Sequence, residues 1–201
     1  MRGRRSIRVY SVLAAVLVLM AQSVAVEAAP VRFGSKLTNS NGSVVQPANA
    51  PRECDVTGPN EGDPCTVVSL RAKGYNVGTK EKAPKDGTIH KVRLVAAHAG
   101  SFRLYFAKAH PGSDEAKVVK KGPVISFNGD NSSPYTIETK NVNISVKKGL
   151  YIAVKASRFE TVTCTSGSQV LMEFQPPLVV GNPYQTEDDH NGCYLLVQLQ
   201  Y

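Results

Sequence analysis

After residue 28, the chain consists of short runs that alternate apolar and polar residues, cut repeatedly by Gly, Pro and Asn. The clearest run is 101–108, where Phe102, Leu104 and Phe106 fall on one side and Arg103 and Tyr105 on the other. A period of two is the repeat of an extended strand, whose successive side chains point to opposite faces. A helix needs apolar residues recurring every three to four positions, and no such stretch follows residue 28. Similar runs recur along the chain, about nine in all, among them 65–71, 89–97, 118–127 and 193–200. The run 118–127 is interrupted at Gly122-Pro123. Val142, Ile144 and Val146 lead into Lys147-Lys148-Gly149, and Leu150, Ile152 and Val154 lead back, which predicts a two-stranded hairpin. Many short strands with frequent turn formers predict an all-β fold, an antiparallel β-sandwich of jelly-roll type, with a closed barrel as the alternative.

Residues 1–28 read as a secretory signal peptide. Arg2, Arg4, Arg5 and Arg8 precede an apolar stretch, and Val26 and Ala28 provide the small residues of a cleavage site before Ala29. Arg4-Arg5-Ser6-Ile7-Arg8 also resembles a twin-arginine signal. A membrane role arises only if this segment stays uncleaved as an anchor. Residues 29–64 are predicted to be an irregular N-terminal segment with a first strand at 31–37, packed on the sandwich, and 65–201 the β-sandwich domain. Loss of four arginines and Glu27 with the signal lowers the formal charge from +8 to +5. That charge is too dilute for the basic stripe of a nucleic-acid binder, so nucleic acid is excluded as the expected partner. It leaves room for attraction to an anionic polysaccharide or cell-wall polymer.

Cys54, Cys65, Cys164 and Cys193 all lie in the exported part. An even count in an exported chain predicts two disulfides. Closure of the shorter loops is entropically least demanding, which favours Cys54–Cys65 and Cys164–Cys193. No Cys/His cluster shows zinc spacing.

Several local stretches carry a resemblance. They are 31–37 (VRFGSKL), 83–89 (APKDGTI), 100–104 (GSFRL), 144–154 (ISVKKGLYIAV) and Pro176-Pro177-Leu178. Together, over 31–201, they resemble a group of uncharacterised secreted β-sandwich, jelly-roll-like proteins of actinobacteria. The shared motifs are structural, so the resemblance implies a fold and export and carries no catalytic residue.

Local chemistry is sparse. His90 and His98 lie eight residues apart, ~26 Å along a strand, too far to share a ligand. No serine sits in a G-x-S-x-G elbow. Glu187, Asp188 and Asp189 form a loop of hard oxygen donors able to contribute to a structural calcium site, and 128–131 is a second such loop. No other cofactor is expected. With no Trp, sugar stacking falls to tyrosines, and Tyr105 and Tyr151 oppose the apolar faces of their strands. Asn41, Asn131 and Asn143 begin glycosylation sequons, relevant only in a glycosylating host. These features predict a secreted, non-enzymatic binding or structural module. The alternative is a secreted hydrolase assembled from distant loops with Asp188, Asp189 or His190.

Overall fold

The structure is a computed structural model and describes residues 29–48, 52–54, 63–70, 80–110, 114–129, 133–164 and 170–201. Residues 1–28, the expected signal peptide, and most of the turn-rich loop between Cys54 and Cys65 lie outside the described residues. Nine principal strands carry the fold: β1 (Arg32–Gly34), β2 (Cys65–Ser69), β3 (Gly87–Leu94), β4 (Gly100–His110), β5 (Glu115–Phe127), β6 (Glu138–Val146), β7 (Tyr151–Ala156), β8 (Leu171–Phe174) and β9 (Val197–Gln200). No helix occurs among the described residues.

All pairings between these strands are antiparallel, and they form two sheets. The smaller sheet has the order β1-β9-β3-β6. The larger runs β5-β4-β7-β2-β8, with Gln185–Thr186 added beside β5 and Asp189–Asn191 beside β8. With the extra strand β8 set aside, the eight others fall in the orders first-eighth-third-sixth and fifth-fourth-seventh-second. That is the double Greek key of a jelly roll.

Alternation determines which residues meet between the sheets. Phe33, Ile89, Val92, Leu94, Ile144, Val146 and Leu199 descend from the small sheet. Val67, Phe102, Leu104, Phe106, Ile125, Phe127, Ile152, Val154 and Leu171 rise from the large one. Each fully buried apolar side chain of this size contributes about 1.5–3 kcal/mol. The large sheet is also covered on part of its outer face, where Leu178 and Phe174 close over Val68, Tyr151 and Met172. Every residue of β2 is therefore buried, and Leu178 is held there by its amide donating to Thr66 Oγ1 at 3.1 Å. The N-terminal segment folds back through a Thr38–Val44 bridge and sets Leu37 and Val45 on Val95 and Leu196.

Both disulfides pair as expected, Cys54–Cys65 and Cys164–Cys193. The second joins residues directly opposite each other in the short ladder Val162–Cys164/Cys193–Leu195. The expected hairpin at 142–154 is not one. β6 pairs with β3 in the small sheet, whereas β7 pairs with β2 and β4 in the large sheet, so Lys147-Lys148-Gly149 is an arch between sheets. The arch is held from elsewhere. Asp86 accepts the Lys148 amide at 2.7 Å and the Lys147 ammonium at 2.9 Å, and Gly149 donates to Ala83 O at 2.8 Å.

These bonds, the Lys148 amide foremost, hold the Asp86 carboxyl below its ordinary value of 3.8. A carboxyl lowered on folding adds stability above its unfolded value and loses it as pH falls through the folded one. Asp86→Asn keeps an acceptor for the amide but removes the charge. Its melting temperature is expected to fall slightly below wild type at neutral pH. The gap should begin to close as pH drops below the ordinary value of 3.8 and vanish once the folded carboxyl, which titrates lower still, is protonated. A gap independent of pH in calorimetric melts would show that the charge is not what anchors the arch. Glu138 works similarly at the start of β6. Burial opposes its ionisation, but Lys140 and the amides of Gly129 and Asn128 outweigh that and lower its pKa.

Candidate functional site

The outer face of the large sheet is not covered along its whole length. Beyond Leu178 and Phe174 it opens into a cleft of about 580 Å³. The cleft is lined by the first half of β4, by Lys121 and Val124 of β5, by the end of β7 and by the 157–160 segment that follows it. Parity on β4 sends Phe102 and Leu104 into the core and Arg103 outward, and on β7 it sends Val154 inward and Lys155 outward. The register then sets Arg103 directly opposite Lys155, and Tyr105 directly opposite Lys121. Arg158 extends the cationic wall from the chain after β7.

A bulge contributes to this arrangement. The β4–β5 register shifts between Arg103 and Tyr105, at the Gly122-Pro123 interruption, yet β5 continues through it. The shift exposes the Gly122 carbonyl, which accepts from Arg103 Nη1 at 3.3 Å and orients the guanidinium. A side chain at Gly122 would crowd the Leu104 carbonyl at 3.1 Å, so the bulge is suited to glycine.

Among the described residues, Glu160 is the single carboxylate lining the cleft, 7% exposed. Its backbone carbonyl accepts from Ala97 at 3.0 Å, which places the neighbouring His98 beside its side chain. His98 Nδ1 lies 2.9 Å from Glu160 Oε2, and Arg158 Nη2 lies 3.9 Å from Oε1. A carboxylate only accepts, so Nδ1 is assigned the proton in this contact. Arg158 also reaches Glu53 at 3.5 Å. Among the described residues, neither Lys121 nor Lys155 has a carboxylate within salt-bridge distance. Among the described residues, the cleft therefore sets four cationic side chains against one buried and already engaged carboxylate.

The tyrosine expectation needs correction. Tyr105 and Tyr151 do point to the outer face, but they are only 7% and 4% exposed. Both belong to the apolar cluster under Leu178 and Phe174, and Lys82 Nζ stands 4.8 Å over the Tyr151 ring. Neither offers a flat face to a sugar; Tyr105 contributes only to the wall of the cleft.

The 187–189 loop is used structurally in part. The Glu187 amide donates to Asp114 O at 2.7 Å, the Asp188 amide to Glu173 O at 2.8 Å, and the Asp188 carboxylate accepts the Gln175 amide. The side chains of Asp189 and His190 lie outside the described residues. Among those residues, the one group that brings three metal-type donors within 4.8 Å is Cys54, Cys65 and Glu173, and its two sulfurs are bonded to each other. No helix of the described residues is long and apolar enough to cross a membrane.

Arg103 and Lys155 were not singled out in the sequence. Their outward parity is readable from alternation, but their juxtaposition depends on a register between strands fifty residues apart. Glu160 and His98 carry no local signal. Compared with known proteins, the sequence matches no family model, no curated protein and no solved structure.

Proposed function

We propose that the protein is an exported, non-enzymatic binding module of the extracellular space or cell envelope, which holds an anionic glycan or wall polymer on the outer face of its large sheet. The observation that carries this reading is the pair Arg103 and Lys155, directly opposite each other on adjacent strands and joined by Lys121 and Arg158. Like charges directly opposite in a ladder destabilise it, and a bound anion removes that repulsion. A polymer fits this open face better than a small molecule, because the cleft runs across strands instead of closing around a pocket. Export is supported by the signal-like N-terminus and by two disulfides, which persist in oxidising compartments. Catalysis by paired carboxylates needs two such groups facing one cleft, and among the described residues this cleft shows one.

The test is a panel of acidic and neutral polysaccharides and phosphate-bearing wall polymers, immobilised and probed with the purified protein. Acidic members should retain it and their neutral counterparts should not. Retention should be lost in ~1 M salt, where the Debye length is ~3 Å. Equal retention on neutral polymers, or retention on none, would refute the proposal.

A further inference from the structure

A second cleft lies in the mouth between the two sheets, on the opposite side of β4 from Arg103. It has a volume of about 710 Å³ and is bounded by the start of β3, the end of β6, the arch, Lys108 of β4 and residues 119–120 of β5. Its walls differ from those of the outer cleft. Val146 and Leu150 are buried members of the main core, and half-buried Val119 packs against the same cluster. An apolar group entering here extends the packing of the sandwich itself. The rim is cationic, formed by Lys108, Lys120, Lys147 and Lys148.

The four ammonium groups are not equivalent. Lys120 Nζ donates to Ser145 O at 2.6 Å, a bond from the edge of one sheet to the edge of the other that holds the mouth at its present width. Lys147 is matched by Asp86 at 2.9 Å. Among the described residues, neither Lys108 nor Lys148 forms a salt bridge, although the Lys148 charge acts at longer range on Asp86 in the same rim. The site thus combines an apolar floor, two cations in structural bonds and two available for a ligand. Its volume falls within the ~300–1,000 Å³ of small-molecule sites.

From this we infer that the inter-sheet mouth binds a small amphipathic carboxylate, with its hydrocarbon body on Val119, Val146 and Leu150 and its carboxylate between Lys108 and Lys148. This site is independent of the polymer-binding face. Among the described residues it shares no side chain with that face, and it recognises a finite molecule that can insert end-on.

The test is calorimetric titration of the purified protein with dodecanoate, octanoate and the uncharged dodecanol, below the concentration at which the acids form micelles. Methyl NMR of the valines and leucines follows the same titrations. Dodecanoate should bind saturably, more tightly than octanoate by about threefold or more per methylene buried. Shifts should concentrate at Val119, Val146 and Leu150. Lys108→Gln with Lys148→Gln, both on the exposed rim, should weaken dodecanoate about tenfold and leave the circular dichroism unchanged. Arg103→Gln with Lys155→Gln should leave dodecanoate binding as it is, which separates failure of this site from failure of the polymer face. The inference is overturned if dodecanol binds as tightly as dodecanoate, if the lysine variant binds like wild type, if shifts fall at Leu178 of the outer cluster, or if dodecanoate only unfolds the protein.

Discussion

Phe106→Ala is expected to destabilise the protein by about 3–5 kcal/mol. Phe106 lies at the centre of β4, fully buried, opposite Ile152 of β7 and Lys120 of β5. Its ring fills the space between the sheets together with Leu104 and Val154. Truncation removes both the transfer energy of the ring and the dispersion contacts of the atoms around the void. Those neighbours belong to paired strands on both sides, so they can close the gap only by bending a sheet. For a chain of this size, the loss corresponds to a fall in melting temperature of roughly 6–20 °C. Val124→Ala is the matched control on the neighbouring strand. Val124 is 47% exposed on the outer face, and its truncation should stay within about 0.5 kcal/mol. Thermal melts followed by circular dichroism distinguish the two, and a similar loss for both would refute the assignment of inner and outer faces.

Gly34→Ala is the second large effect, expected at about 3–5 kcal/mol from strain and overpacking together. Gly34 ends β1 with φ of +90°, a conformation that L side chains rarely adopt. A Cβ there would lie 2.4 Å from the Val197 carbonyl oxygen and 2.7 Å from Ile152 Cδ1. The first obstacle is backbone of β9, so relief requires moving β1 off the sheet edge. That movement also strains the bond from the Gly34 amide to Lys80 O at 2.6 Å. Gly42 separates the two contributions. Its φ is +85°, yet nothing lies within 4 Å of the added carbon, so Gly42→Ala should show the conformational cost alone, about 1–2 kcal/mol. Urea denaturation of the two variants gives the comparison directly. Equal losses would mean that the contact of β1 with β9 and β7 is looser than described.

The parts of the fold legible in the sequence are those that depend on one strand at a time. Alternation in 101–108 correctly divides Phe102, Leu104 and Phe106 from Arg103 and Tyr105, because the side-chain period of a strand is local. The disulfides were legible because closure favours short loops. The arch at 147–149 was not. The pattern of Val142, Ile144 and Val146 followed by Leu150, Ile152 and Val154 says that both strands face a core, and a core between two sheets satisfies it as well as a hairpin does. What decides between them is Asp86 and Ala83, more than sixty residues upstream. Tyr105 and Tyr151 illustrate a second limit. Their direction follows from parity, but their cover comes from Phe174 and Leu178, whose segment has no periodicity linking it to β4 or β7. The cationic cleft combines both cases: Arg103 and Lys155 are outward by parity, and only the register makes them neighbours.

The central claim is that these neighbouring charges bind an anionic polymer. The most direct test is calorimetric titration of the strongest-binding acidic polymer into the wild-type protein and the Arg103→Gln, Lys155→Gln double variant, at low ionic strength. Both side chains are only partly buried on the outer face, so the variant should fold with an unchanged circular dichroism spectrum. The expected result is an affinity loss of about tenfold or more, roughly 1.4 kcal/mol, with a shallower dependence on salt. Undiminished affinity with the same salt dependence as wild type would contradict the account.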